Sequence, residues 1–255
     1  MVNIPTGLSE LDRITGGLVP GEVALVASRP AIGKSTLALG ISRNVALDQG
    51  RAVAVFSLEM SGGEVMDRLT SAEAGLECWR VRRRTLGHDE AARAREARKT
   101  LEAAPILIHD DASLGVADMR AVAIRMKQEH PDLSLMVVDY LELIPTPGTP
   151  EDRRDVIADA WQGLKATAHE LQVPMLLLSQ IHRFDEGRAD LRPRLSDLNT
   201  TEADLTLLLY RDEVYHRKSP EGGIAEVTAL REGASLGTCR LAFDEDLVRF
   251  ADLDT

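Results

Sequence analysis

Five short, mainly apolar runs punctuate the first 180 positions: 22–27 (EVALVA), 52–57 (AVAVFS), 105–109 (PILIH), 133–139 (LSLMVVD) and 173–179 (VPMLLLS). None alternates polar with apolar, so each reads as a strand buried on both faces. Such strands form a parallel sheet covered by helices on both sides. Helical patterns follow the runs. Leu37, Ile41 and Val45 recur at four-residue spacing within 35–48, one face of a helix, and Gly50 suits its C-terminal cap. A second helix is expected over 152–171. A polar stretch interleaves Arg93, Arg95 and Arg98 with Glu90, Glu96 and Glu102, the pattern of a solvated helix face. After about Leu205 the pattern changes. Segments 205–210, 224–230, 238–243 and 247–250 read as strands with turn-like connections, expected to add to the sheet antiparallel. The expectation is one α/β domain over 1–255.

Ligands of such sheets sit beyond the carboxyl ends of the strands. There the first run meets Ser28-Arg29-Pro30-Ala31-Ile32-Gly33-Lys34-Ser35-Thr36. This is the phosphate-loop pattern G-x-x-x-x-G-K-[ST] between a strand and a helix, with Ser28 in place of the first glycine. Gly33 lets the backbone approach phosphate closely, Lys34 puts a cation on the outer phosphates, and the Ser35 hydroxyl suits Mg²⁺. The amino end of the following helix adds partial positive charge. Asp139 closes the fourth run and suits the metal, directly or through water. Hydrolysis also needs a group that polarises water. Glu59, just past the second run, is preferred; Glu142, three residues past Asp139, is the rival.

With 30 Lys and Arg against 41 Asp and Glu, the net charge is −11, which excludes a generally basic protein that coats nucleic acid but leaves a local basic patch open. Cys78 and Cys239 have neither metal-ligand spacing nor a disulfide framework, so a reducing, cytosolic compartment is expected. No apolar run approaches a membrane span. The first residues already belong to a folded pattern, so no separate N-terminal domain or signal peptide is expected before them.

The combination of Arg29-Pro30 in the loop, Phe56-Ser57-Leu58-Glu59-Met60, Asp139-Tyr140-Leu141, Leu178-Ser179-Gln180, Ser196-Asp197-Leu198 and Tyr210-Arg211-Asp212-Glu213-Val214-Tyr215 resembles the C-terminal motor domain of bacterial replicative helicases of the DnaB type, within the RecA-like P-loop NTPases. The opening Ile4-Pro5-Thr6-Gly7 and Thr15-Gly16-Gly17-Leu18 are shared more widely among RecA-like proteins. The resemblance implies an ATP- and Mg²⁺-dependent hydrolase that forms a homo-oligomer, a hexameric ring, and acts on single-stranded DNA in replication, with a replication protein as a possible partner. It implies Glu59 as the catalytic acid, Asp139 as a metal carboxylate and Gln180 as the residue that senses the γ-phosphate. Arg231 matches the arginine that reaches the nucleotide of the adjacent subunit. The segment 210–215 is expected to flank the base.

Three features depart from the family. Its K-x-R pattern reads Ala229-Leu230-Arg231, so one cation is missing. Its R-E-S-G-x-I-E-Q segment, which contacts DNA phosphates, shrinks to Asn199-Thr200-Thr201. The collar domain and linker helix are not expected here. Arg183, Arg188, Arg192 and Arg194, against Asp185, Glu186 and Asp190, offer a weak replacement footprint of net +1, with Phe184 for stacking. The same stretch also reads as a solvated loop. Arg80, Arg82, Arg83 and Arg84 beside Trp79 suit phosphate or an acidic neighbouring subunit. An adaptor that binds a protein partner without unwinding DNA is therefore the alternative to a helicase, and a RecA-like regulatory ATPase is a third reading.

Overall fold

The computed structural model describes residues 2–145, 153–181, 187–198 and 203–253, with backbone alone for 153–156. In chain order these residues form α1 (Ser9–Thr15), β1 (Val23–Ser28), α2 (Lys34–Arg43), β2 (Val53–Ser57), α3 (Gly62–Ala74), α4 (Cys78–Arg83), α5 (His88–Ala103), β3 (Ile106–His109), α6 (Val116–Glu129), β4 (Leu135–Asp139), α7 (Arg153–Leu171), β5 (Met175–Gln180), β6 (Leu205–Tyr210), α8 (Asp212–Tyr215), β7 (Ile224–Arg231), β8 (Ala234–Asp244) and β9 (Arg249–Asp252). The strands make one sheet in the order β3-β2-β4-β5-β1-β6-β7-β8-β9.

The apolar runs behave as their composition requires. Every residue of β1 is buried, because both of its faces are covered. Ala24 and Val26 join a cluster with Leu37 and Ile41 of α2, Leu69 of α3 and Leu101 of α5. Val23, Leu25 and Ala27 join the opposite cluster, with Met119 of α6 and Trp161 and Leu164 of α7. Alternate side chains of one strand thus face different layers of helices. Of the interleaved charges of α5, Arg93, Arg95, Glu96 and Glu102 are exposed, Glu90 and Arg98 are half-buried against Arg80 of α4 and Asp67 of α3, and Ala94, Ala97 and Leu101 turn inward.

Three expectations change. β6 does not begin the antiparallel part: it runs parallel to β1, with Ala24 opposite Leu205, and the reversal comes at β7. The physical cue lies in the residues. LTLLLY is continuously apolar and buried, whereas β7 alternates buried and half-buried positions and has one wetter face. The helix expected over 35–48 is α-helical only to Arg43, and Asn44–Asp48 widens into a π-helical turn. There the Asn44 amide donates to the Thr6 carbonyl at 3.0 Å. The last strand starts at Arg249 rather than at 247, because Leu247 donates its N–H to the Asp244 carboxylate and Val248 adopts φ +52° to complete a turn.

Candidate functional site

β1, β2, β4 and β5 are mutually parallel, so their carboxyl ends open on one edge of the sheet. Ser28 ends β1 there, opposite Gln180 in the β1–β5 ladder. Its carbonyl accepts the Ile181 N–H at 2.9 Å, and its hydroxyl donates to the Arg29 carbonyl at 2.8 Å. Pro30 and Ala31 are exposed at the crest of the loop, while Ile32 is buried as its anchor. The chain curls through two left-handed residues, Ala31 at φ +62° and Gly33 at φ +117°. A Cβ on Gly33 would stand 3.0 Å from Phe250, whose ring packs 4.7 Å from that of Phe243. The hairpin of β8 and β9 therefore supports the loop from behind.

α2 starts at Lys34. The first amides of a helix have no acceptor within it. Leu37 is the first to bond back, to the Gly33 carbonyl at 2.9 Å. The amides before it, and the positive end of the helix, make this turn an anion site.

Lys34 is buried, with its ammonium 5.6 Å from the centre of the Tyr140 ring. Burial pushes its pKa down, and the charges of Asp139, Glu59 and Glu142 oppose that shift. Asp139, at the end of β4, is only 4% exposed. Burial raises its pKa; a hydrogen bond from the Ser35 hydroxyl and the Lys34 charge lower it, while Glu59 pushes it up. One Asp139 oxygen, Oδ1, is buried with no partner among the described residues. An orphaned carboxylate oxygen beside a hydroxyl, both hard oxygen donors, fits a Mg²⁺ ion. Among the described residues there is no cluster of three or more His, Cys, Asp or Glu for a closed metal cage. Mg²⁺ keeps several waters and takes one or two protein carboxylates, of which Asp139 would supply one.

The two candidate bases differ. Glu59 is exposed past the end of β2, beside Lys34 and Asp139. Glu142 is 8% exposed and accepts hydrogen bonds from the Ser179 hydroxyl at 2.5 Å and the Gln180 N–H at 3.0 Å. Its oxygens are occupied by the protein.

Arg231 lies at the opposite end of the sheet. β7 runs antiparallel to β6, so Arg231 pairs with Leu205 near the start of the parallel strands. Its guanidinium meets Glu22, the residue before β1, at 2.6 Å. Roughly 17 Å of strand separates that edge from the loop. The 210–215 segment sits at the same edge as the loop, with the Tyr210 and Tyr215 rings stacked 5.3 Å apart.

The candidate DNA-contacting arginines divide. Arg183 and Phe184 lie outside the described residues, as do 199–202. Arg188 pairs with Asp197 at 2.9 Å, and both side chains are largely buried. Arg192 holds Glu226 at 2.6 Å and lies over the Tyr210 ring. Arg194 donates its backbone N–H to Asp197. In the other basic cluster, Arg80 pairs with Glu90 and Arg82 with Glu64, while Trp79 is 52% exposed.

Two parts of the site carried no assigned role in the sequence: Tyr140 beneath Lys34, and a cavity of about 440 Å³ beside Thr36 lined by Arg68, Arg249, Phe250 and Asp252 among others. The Arg249-Phe250 pair, a charge next to an aromatic in the last strand, was the visible signal for the second.

A family model described as the DnaB-like helicase C terminal domain matches residues 3–252. The replicative DNA helicase DnaB of Geobacillus stearothermophilus is 37% identical over 100% of this chain and 57% of its own length. The replicative DNA helicase DnaC of Bacillus subtilis is 35% identical, again over 57% of its length. The chain thus spans a little over half of these relatives. The solved ATPase domain of G40P superposes with a TM-score of 0.91 at 30% identity, covering 99% of this chain and 92% of that one. A DnaB-like replicative helicase, solved in a study of its interactions with primase, gives the same score over 62% of its chain. The RadB recombinase, at 21% identity and a TM-score of 0.60, shares the RecA-like fold alone. The chain belongs to the family of DnaB-like helicase C-terminal domains.

Proposed function

We propose that this domain binds ATP with Mg²⁺ on residues 28–36 and hydrolyses it, as the motor of a ring-forming helicase that acts on single-stranded DNA. The observation that carries this reading is the convergence of Lys34, Ser35, Glu59 and Asp139 on one crevice, with Gln180 on the adjoining strand end. Mg²⁺, when bound, would screen the phosphate oxygens, with Ser35 and Asp139 to hold it. Lys34 neutralises the outer phosphates. Glu59 orients a water and takes its proton as the water oxygen bonds the γ-phosphorus and the bond to the β-phosphate oxygen breaks, leaving ADP and phosphate. Gln180 contacts the γ-phosphate. Arg231 acts on the nucleotide of the neighbouring copy, where an arginine stabilises transition-state charge. The cavity beside Thr36 takes the ribose and base; the 210–215 segment, which lines none of it, does not flank the base on this reading.

Lys34→Ala tests the core of this reading. Hydrolysis should vanish and nucleotide affinity fall sharply in an equilibrium titration. Turnover equal to that of the unaltered protein would refute it.

The internal pairing of Arg188 and Arg192 favours a second reading. Two of the four candidate DNA cations are already neutralised, so a nucleotide-dependent adaptor for a replication protein in the cytoplasm remains the alternative. The DnaB-like relative studied with primase supports a partner of that kind. A titration with single-stranded DNA at increasing salt separates the two. Real phosphate contacts must weaken as salt rises, whereas an adaptor shows no DNA binding at low salt.

A further inference from the structure

The backbone ladder between β4 and β5 stops at Val138 opposite Leu177. Beyond that rung each strand end carries one residue of the nucleotide site, Asp139 on β4 and Gln180 on β5. The Glu142 side chain spans the gap. Glu142 sits on the 3₁₀ turn Leu141–Leu143 that follows β4. One of its oxygens accepts a hydrogen bond from the Ser179 hydroxyl at 2.5 Å and the other from the Gln180 N–H at 3.0 Å. The carboxylate thus replaces the next rung of the ladder. Burying a charge is costly unless it is hydrogen-bonded and paired. Here two donors and the nearby charge of Lys34 offset that cost.

We propose that Glu142 is a positioning residue: it clamps the Gln180 end of β5 to the Asp139 end of β4. The group that contacts the outer phosphate then keeps register with the strand end that holds the metal. The proposal rests on the ATP-hydrolysing reading of this site. It also explains why Glu142 does not serve as the base, since its oxygens are spent on the clamp.

The test compares Glu142→Ala with Glu142→Gln. Alanine removes both acceptors. Glutamine restores the bridge in another form: its amide oxygen accepts the Gln180 N–H, and its amide nitrogen donates to the Ser179 hydroxyl oxygen. Glu142→Ala should lower kcat about tenfold or more, the scale of a small misplacement in an active site. KM for ATP should change by no more than about twofold, because loop residues 28–36 are untouched. Glu142→Gln should recover most of kcat. Hydrogen exchange supplies a readout without turnover. A non-hydrolysable ATP analogue should slow exchange at both 139–144 and 175–181 in the unaltered protein, and only at the first in Glu142→Ala. If Glu142→Ala fails to fold, Ser179→Ala removes one anchor, and kcat and exchange equal to the unaltered protein would then overturn the proposal. Unchanged kcat in Glu142→Ala, or equal loss in alanine and glutamine variants, overturns it alone. An unaltered protein without Lys34-dependent turnover overturns the nucleotide reading and the proposal together.

Discussion

Gly33→Ala isolates the part of the loop that depends on backbone rather than on charge. Gly33 holds φ +117°, where an L side chain is strained, at a cost of about 1–2 kcal/mol. The added methyl would also meet Phe250 at 3.0 Å and its ring neighbour at 3.1 Å, and Phe243 at 3.4 Å. Overpacking of this kind costs about 1 kcal/mol or more. The sum, about 2–3 kcal/mol, corresponds to a fall in Tm of about 4–12 °C for a protein of this size. Thermal unfolding without nucleotide reads it directly. The two contributions separate in a double-mutant cycle with Phe250→Leu. The smaller side chain relieves the contact and leaves the dihedral strain, so the coupling should be about 1 kcal/mol in the stabilising direction. ATP affinity should fall in both backgrounds, because the strained dihedral still displaces the amides ahead of α2. A Tm within about 2 °C of the unaltered protein would refute the strain argument. Coupling indistinguishable from zero would refute the role of the aromatic pair.

Glu59→Gln should bind ATP normally and barely hydrolyse it, since an amide cannot take a proton from water; single-turnover kinetics with labelled ATP read this, and a loss of affinity instead would reassign Glu59 to binding. Mixing Arg231→Ala with Lys34→Ala protein should restore part of the activity that each lacks alone, because some contacts then pair a sound loop with a sound arginine; no recovery across a range of concentrations would make Arg231 a surface residue tied to Glu22. The raised pKa of Asp139 adds stability at low pH, and that contribution is lost as pH rises through its folded value, so near neutrality its buried charge opposes folding. Asp139→Asn should therefore melt higher than the unaltered protein without nucleotide, in calorimetry at neutral pH, while losing Mg²⁺-dependent turnover. On the alkaline side, the depressed pKa of Lys34 should make ATP affinity fall at a lower pH than an ordinary lysine would.

The loop, its strand and its helix were legible because they are contiguous: sequence spacing is spatial spacing there. The buried, parallel character of β1 to β5 followed from their apolar runs, though not their order in the sheet, and the same rule, applied to LTLLLY, would have given β6 its parallel direction. What stayed hidden joins distant residues. Counting charges over 183–194 gives +1, but Arg192 is neutralised by Glu226 on β7. Arg188 and Asp197 lie nine positions apart and meet only because the loop folds back. Glu142 looked like a base because it is acidic and close to Asp139; its partners stand 37 and 38 residues further on. The contact between Arg231 and Glu22 spans 209 residues and depends on β7 reversing direction.

That reversal makes each copy of the domain directional. The phosphate loop opens at one end of the central strands and Arg231 projects at the other, so no nucleotide can touch both in one molecule. The two ends are different surfaces, so in the proposed assembly a contact between them would repeat head to tail. In an open row of copies, one loop at one end is left without an arginine and one arginine at the other end without a loop. Closing the row completes one more site than there was before. On the ring-forming reading proposed above, opening the ring would silence one site and leave the rest working, and the count of working sites would report whether the ring is shut.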